Sequence, residues 1–205
     1  MKITHYYHLA WFIFICLISN LAMAMQNNEE WADPIDPSFN FYQVSPLLYR
    51  SALPDTSKVE TIKKQNIATI ITLIKEDDTK WLGKNEKIQL VKYPTHADRV
   101  KDDDVLKVLK LIQQSQSEGK AVLLHCKHGQ NRTGLFIAMY RIVVQRWSKE
   151  QAINELVYGI SSTEMEDVNE AMAYIQKANV NGIRKALKNN DCSTSRWAVC
   201  NFFSS

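Results

Sequence analysis

Apolar residues along the chain fall into short runs separated by longer stretches with helical spacing. Four runs have strand length, at residues 47–49, 67–74, 88–93 and 121–125. The second and fourth are continuously apolar, as strands buried on both faces must be. Behind Asp102, Asp103 and Asp104, the residues Val105, Leu106, Leu109 and Ile112 recur at three- and four-residue intervals until Gly119. Acids favour the positive end of a helix dipole and glycine ends the helix, so one helix is predicted there. Ser148 with Gln151 and Thr163 with Glu166 fit the capping box, which predicts two further helix starts. Residues 135–144 are apolar nearly all round, the mark of a helix buried against a sheet. The alternation predicts an α/β fold: a central, mostly parallel sheet of about four to five strands flanked by helices.

The pattern changes at both ends. Lys2 precedes an apolar run over 9–21, followed by Ala22-Met23-Ala24. This reads as a signal peptide over 1–24 with an A-x-A cleavage site, so the protein is expected to be exported, periplasmic or secreted. The run falls short of the roughly 20 residues that cross a bilayer, so no stable span is expected after cleavage. Residues 25–39, rich in Pro and Asp, read as a linker or surface lead. Residues 40–180 read as the main folded domain and 181–205 as a C-terminal helix and tail.

Length and composition narrow the picture. A chain of 205 residues, 45% hydrophobic and 23% charged, suits one folded domain. The net charge is only +3 and the cations are scattered among acids, which excludes an extended nucleic-acid partner and makes any anion site local. Export gives the cysteines meaning. Cys192 and Cys200 stand close together in the tail, either as a local disulfide or as two free thiols, and pairing them leaves Cys126 as the odd thiol.

Cys126 lies where the pattern is most informative: a buried strand ending at His125, a polar loop, then an apolar helix. Backbone N–H groups of such a loop, with the helix dipole behind them, form an anion cradle. Lys127, His128, Gly129, Gln130, Asn131 and Arg132 would surround a bound phosphate, with Gly129 permitting the turn. Arg132 can present a planar fork to two phosphate oxygens, which a lysine cannot do. Surroundings of this kind lower a thiol pKa from about 8.5 to about 3.5–7.5, making Cys126 a nucleophile at neutral pH. His125 would hold the cysteine backbone, and the Thr133 hydroxyl would donate to the sulfur as it leaves.

Residues 125–134 read His-Cys-Lys-His-Gly-Gln-Asn-Arg-Thr-Gly. They match the HCxxGxxRTG signature, and the chain resembles the protein tyrosine phosphatase superfamily in its dual-specificity-like branch. Leu48-Tyr49-Arg50-Ser51 and the stretch from Tyr140 to Glu150 extend the likeness over roughly residues 40–178, leaving the Cys192 tail outside. The resemblance implies the cysteine-phosphatase fold and hydrolysis of phosphate monoesters through a phosphocysteine intermediate, with no metal or cofactor. It also implies an aspartate acid on a loop upstream of the cysteine. Asp98, in Tyr-Pro-Thr-His-Ala-Asp-Arg, is the candidate, with His96 and Asp102 in reserve.

Substrate choice is left open between phosphorylated protein, ranked first, and inositol phosphates or phosphoinositides, to which Lys127 points. Two other classes compete: a catalytically inactive phosphate-binding module, opposed by the intact Cys126, Arg132 and Thr133, and a thiol redox protein, opposed by the lack of a Cys-x-x-Cys pair.

Overall fold

The computed structural model describes residues 31–83, 87–160 and 167–202. In chain order the elements are β1 (Asp33–Asp36), β2 (Phe41–Ser45), β3 (Leu48–Ser51), α1 (Val59–Lys63), β4 (Ile67–Thr72), α2 (Thr79–Leu82) and β5 (Gln89–Lys92). They continue with α3 (Asp102–Ser117), β6 (Ala121–His125), α4 (Asn131–Val143), α5 (Lys149–Tyr158), α6 (Asn169–Lys177) and α7 (Val180–Asn189).

The six strands form one sheet in the order β1-β2-β3-β6-β4-β5. β3, β6, β4 and β5 run parallel to one another, while β2 joins β3, and β1 joins β2, antiparallel at one edge. The four parallel strands are the four that the apolar runs predict, and β6, central and wholly buried, is the most apolar of them. Its side chains alternate between two cores. Val122 and Leu124 pack with residues of α3 and α4, while Ala121 and Leu123 pack with Phe41, Tyr49, Ile62, Trp81 and Leu82 on the opposite face. Truncating a side chain such as Leu123 or Leu124 to alanine costs about 2–5 kcal/mol.

The sheet has six strands where about four to five are expected, because part of the 25–39 lead, Asp33–Asp36, joins it as an edge strand. β1 is an edge strand, exposed at its start and carrying Pro34, so no alternating apolar signal marks it. It pairs with β2, and the residue before it is tied to a remote partner: the Ala32 N–H donates to Glu155 Oε1 at 2.8 Å.

Glu155 belongs to a buried ion pair that joins the two ends of the domain. Arg141 Nε and one terminal nitrogen donate to its two oxygens at 2.9 and 2.6 Å. The other terminal nitrogen donates to the Val44 carbonyl at 3.0 Å, and the guanidinium lies 4.3 Å from the Trp147 ring centre. Such a pair contributes little compared with an apolar core of equal volume, but removing one partner leaves a buried charge uncompensated.

The helices follow the sequence signals closely. α3 runs from Asp102 to Ser117, α4 is buried from Thr133 through Val143, and Ser148 and Gln151 cap α5 reciprocally at 3.1 and 2.7 Å. The start expected at Thr163 and Glu166 lies outside the described residues, and the next described helix begins at Asn169. After α7 the tail folds back, and Cys192 and Cys200 are joined as a disulfide. Among the described residues no helix is long and apolar enough to cross a membrane.

Candidate active site

β3, β6 and β4 end level with one another, with Ser51 and Thr72 both paired with His125. The chain leaves β6 there, turns through residues 126–130 and enters α4 at Asn131. Open parallel sheets hold their ligands in this place, beyond the carboxyl ends of the strands.

Three successive carbonyls of the loop are tied outward. The Lys127 carbonyl accepts from the Leu53 N–H at 3.0 Å, that of His128 from Asn40 Nδ2 at 2.8 Å, and that of Gly129 from an Arg50 terminal nitrogen at 2.6 Å. In a planar trans peptide the N–H points opposite to the carbonyl. Tying these oxygens outward therefore turns the N–H groups of His128, Gly129 and Gln130 inward. The Gly129 N–H donates to Cys126 Sγ at 3.2 Å, and that sulfur is completely buried. Gly129 has φ +75°, and a Cβ there would come within 2.6 Å of the β3 backbone beyond Ser51, so only glycine fits.

Arg50 lies beneath the loop, 1% exposed. Burial pushes its pKa below the ordinary guanidinium value, opposed by Glu155 and Cys126. A cation buried here complements negative charge on the sulfur or on a bound phosphate. Neither Arg50 nor Asn40 stood out as a site residue in the sequence, although Arg50 lies in the stretch Leu48-Tyr49-Arg50-Ser51.

His125 is wholly buried, with Nε2 3.1 Å from Asp78 Oδ1 and 3.2 Å from Thr72 Oγ1, and with Nδ1 3.3 Å from the Cys126 carbonyl. Asp78 also accepts from Thr72 Oγ1 and, at 2.9 Å, from Trp81 Nε1. Burial raises the Asp78 pKa, but the bond and charge of His125, with the Thr72 and Trp81 donors, outweigh it and hold the carboxyl below its ordinary value. The ring is thus fixed from β4 and α2, and with it the backbone at residue 126. Asp78 carried no sequence signal, being one of several loop acids.

Beside the loop is a cleft of about 320 Å³ lined by Ile74, Lys75, Glu76, Pro94, Thr95, His96, Lys127 and Arg132. Arg132 and Lys127 thus face one space, with Lys75 as a further cation. Gln130 is buried and His128 and Asn131 are half-buried around the turn. Thr133 is fully buried and its hydroxyl has no hydrogen-bond partner among the described residues. Asp98 is not brought to the cleft wall. It sits on the turn Ala97–Arg99 just beyond it, exposed, with its carboxylate 3.4 Å from Arg99 Nε. Of the two reserves, His96 lines the cleft, whereas Asp102 is engaged by the Tyr174 hydroxyl at 2.8 Å and the Asn179 N–H at 3.3 Å. Among the described residues no cluster of three or more His, Cys, Asp or Glu is arranged to hold a metal.

The sequence matches the family model of the tyrosine phosphatase family over residues 35–196. The chain belongs to that family. The match includes β1 from Ile35 and the first cysteine of the tail, so the likeness reaches further at both ends than residues 40–178. Membership makes the protein a cysteine-dependent phosphatase, a phosphoric monoester hydrolase. The chain is 48% identical over 177 residues to the dual specificity protein phosphatase TpbA of Pseudomonas aeruginosa, covering 86% of this chain and 80% of that protein. Crystal structures of TpbA, one in complex with pTyr, superpose with a TM-score of 0.73 at 45% identity, covering 80% of this chain and 99% of theirs. More distant is the inositol diphosphatase DSP3 of Arabidopsis thaliana, 28% identical over 147 residues, 66% of this chain and 69% of that protein. In this chain the sheet and its flanking helices place the loop at the carboxyl edge of the parallel strands.

Proposed function

We propose that this phosphatase acts on phosphorylated protein, with phosphotyrosine as the preferred residue, after export from the cytoplasm. The observation that carries the mechanism is the loop itself: inward N–H groups, one of them bonded to a buried Cys126 sulfur, with Arg132 at the rim. In the first step the Cys126 thiolate attacks phosphorus and the P–O bond to the leaving group breaks, with Asp98 delivering its proton to the departing oxygen. In the second step Asp98 takes a proton from water, which attacks the phosphocysteine, and the S–P bond breaks to release inorganic phosphate and the thiolate. The inward amides and the Arg132 fork stabilise the charge on the phosphoryl oxygens in both transition states. In this reading the Thr133 hydroxyl, which has no partner among the described residues, donates to the sulfur as it departs. Asp102 is too firmly held by Tyr174 and Asn179 to serve as the acid.

The preference for phosphoprotein is supported by the 48% identity to TpbA and by the pTyr complex of that protein. A second reading, an inositol phosphate or phosphoinositide substrate, is favoured by Lys75 and Lys127, which both line the cleft and would receive further phosphates. Export is supported by the signal-like residues 1–24 and by the cross-linked tail, which suits an oxidising compartment. A panel of phosphotyrosine, phosphoserine and phosphothreonine peptides beside inositol phosphates and phosphoinositides decides the substrate. The proposal expects phosphotyrosine peptides to have the highest kcat/KM, and a higher value for any inositol derivative overturns it.

A further inference from the structure

Among the described residues, the Asp98 carboxylate meets only its neighbour Arg99, so the backbone between Tyr93 and Asp104 must set its position. The upstream end of that segment is tied to the sheet, the Tyr93 N–H donating to the Thr72 carbonyl at 2.8 Å and the Thr95 N–H to that of Leu73 at 3.1 Å. Downstream come the three consecutive aspartates of the first turn of α3, any of which could cap the helix. Only Asp104 acts in that way, accepting from the Lys101 N–H at 2.9 Å and from the Tyr93 hydroxyl at 2.7 Å, which closes the segment on itself. Asp102 is bonded to Tyr174 and Asn179 instead.

Asp103 is held by the tail. It accepts from the Ser193 hydroxyl at 2.8 Å and from both the N–H and the hydroxyl of Thr194 at 2.7 Å. The tail is itself braced: the Cys192–Cys200 disulfide closes it, and Asn201 Oδ1 accepts from the N–H groups of Cys192 and Ser193 at 2.9 and 3.2 Å. Three donors from a cross-linked loop, 91 positions away in sequence at Thr194, therefore converge on the first turn of α3, directly after the turn that carries Asp98.

We infer that the disulfide-closed tail is a positioning element for the acid loop, holding Asp103 and thereby the place of Asp98. The inference rests on the reading of Asp98 as the general acid. The tail makes none of the three bonds that tie the loop carbonyls outward, which come from Asn40, Arg50 and Leu53. Nucleophile and phosphate binding are thus built independently of it. Loosening the tail should impair proton delivery alone, and misplacement by about 1 Å can cost up to about 10²-fold in rate.

The test is a series of aryl phosphates of graded leaving-group pKa, assayed for kcat and KM on the purified protein. Two tail variants are compared, Cys192→Ser with Cys200→Ser, and Ser193→Ala with Thr194→Val, beside Thr194→Ser and Asp98→Asn. Asp98→Asn should lose about 10²-fold or more on the poorest leaving group. Both tail variants should lose about tenfold there, with KM and the best leaving group unchanged, while Thr194→Ser, which keeps both donors, behaves as the parent. In the Asp98→Asn background the tail changes should add nothing, since both act on one step. A parent-like slope in the tail variants beside a steep one in Asp98→Asn overturns the positioning role alone, and so does an equal loss on every leaving group. A parent-like slope in Asp98→Asn overturns the acid assignment instead.

Discussion

At the scale of single residues, the site depends on atoms that do not touch substrate. Arg132 and Cys126 are legible in sequence because their spacing and chemistry are constrained together. The groups that shape the loop around them are not. Asn40 and Arg50 come from a different part of the chain, and their role is to bond carbonyl oxygens that sequence cannot orient. Asn40→Ala leaves the His128 carbonyl without its donor, at a cost of about 1–3 kcal/mol, and releases the peptide whose N–H bonds the sulfur. Activity should fall with kcat more affected than KM, and steady-state kinetics beside a urea melt separates that from simple unfolding. Arg132→Lys keeps the charge but loses the fork, and a loss of about 10²–10³ in kcat is expected on any substrate. Retention of near-parent kcat would show that the charge alone suffices.

At the scale of elements, hydrophobic periodicity located what is buried and missed what is tethered. β4 and β6 are continuous apolar runs, and α4 is apolar on every side, so burial is written in their composition. β1 is half-exposed, and beside its ladder with β2 a long-range bond from the preceding Ala32 to Glu155 secures it, which leaves no local trace. The capping box at Ser148 predicted the start of α5 to the residue, because its two bonds are local. The acids at 102–104 predicted a helix start correctly, but two of the three bond to remote partners, Asp102 to Tyr174 of α6 and Asn179 just before α7, and Asp103 to the tail. The Arg141–Glu155 pair joins β2, α4 and α5. Glu155→Ala should destabilise the fold by about 3–5 kcal/mol, as the midpoint of urea unfolding will show, because Arg141 stays buried without its counter-charge. A loss below about 1 kcal/mol would mean that water or Gln145 compensates.

At the scale of the whole molecule, the same charges set the response to pH. Asp78 and Asp103 both have folded-state pKa values held below the ordinary 3.8, against the raising effect of burial, by the donors bonded to them. A depressed carboxylate contributes stability that is fully present above its unfolded pKa and is lost as pH falls through the folded value. Unfolding free energy should therefore hold level from neutrality to about pH 5 and fall below pH 4, and Asp78→Asn should flatten that limb. An unchanged acid limb in Asp78→Asn would remove His125 and its partners from the account of acid stability. The fold and the chemistry of the loop follow from sequence because both are local: a strand, ten residues and a helix. How the loop is shaped depends on contacts across the chain, and only the fold discloses them. The central claim is that Cys126, in its ring of inward amides, takes the phosphoryl group. Rapid acid quench of the enzyme during turnover of an aryl phosphate, followed by peptide mass spectrometry, tests it directly: phosphate should be found on Cys126 and be absent in Cys126→Ser, which should not turn over. Sustained turnover by Cys126→Ser, or phosphate found instead on His125 or His128, would contradict it.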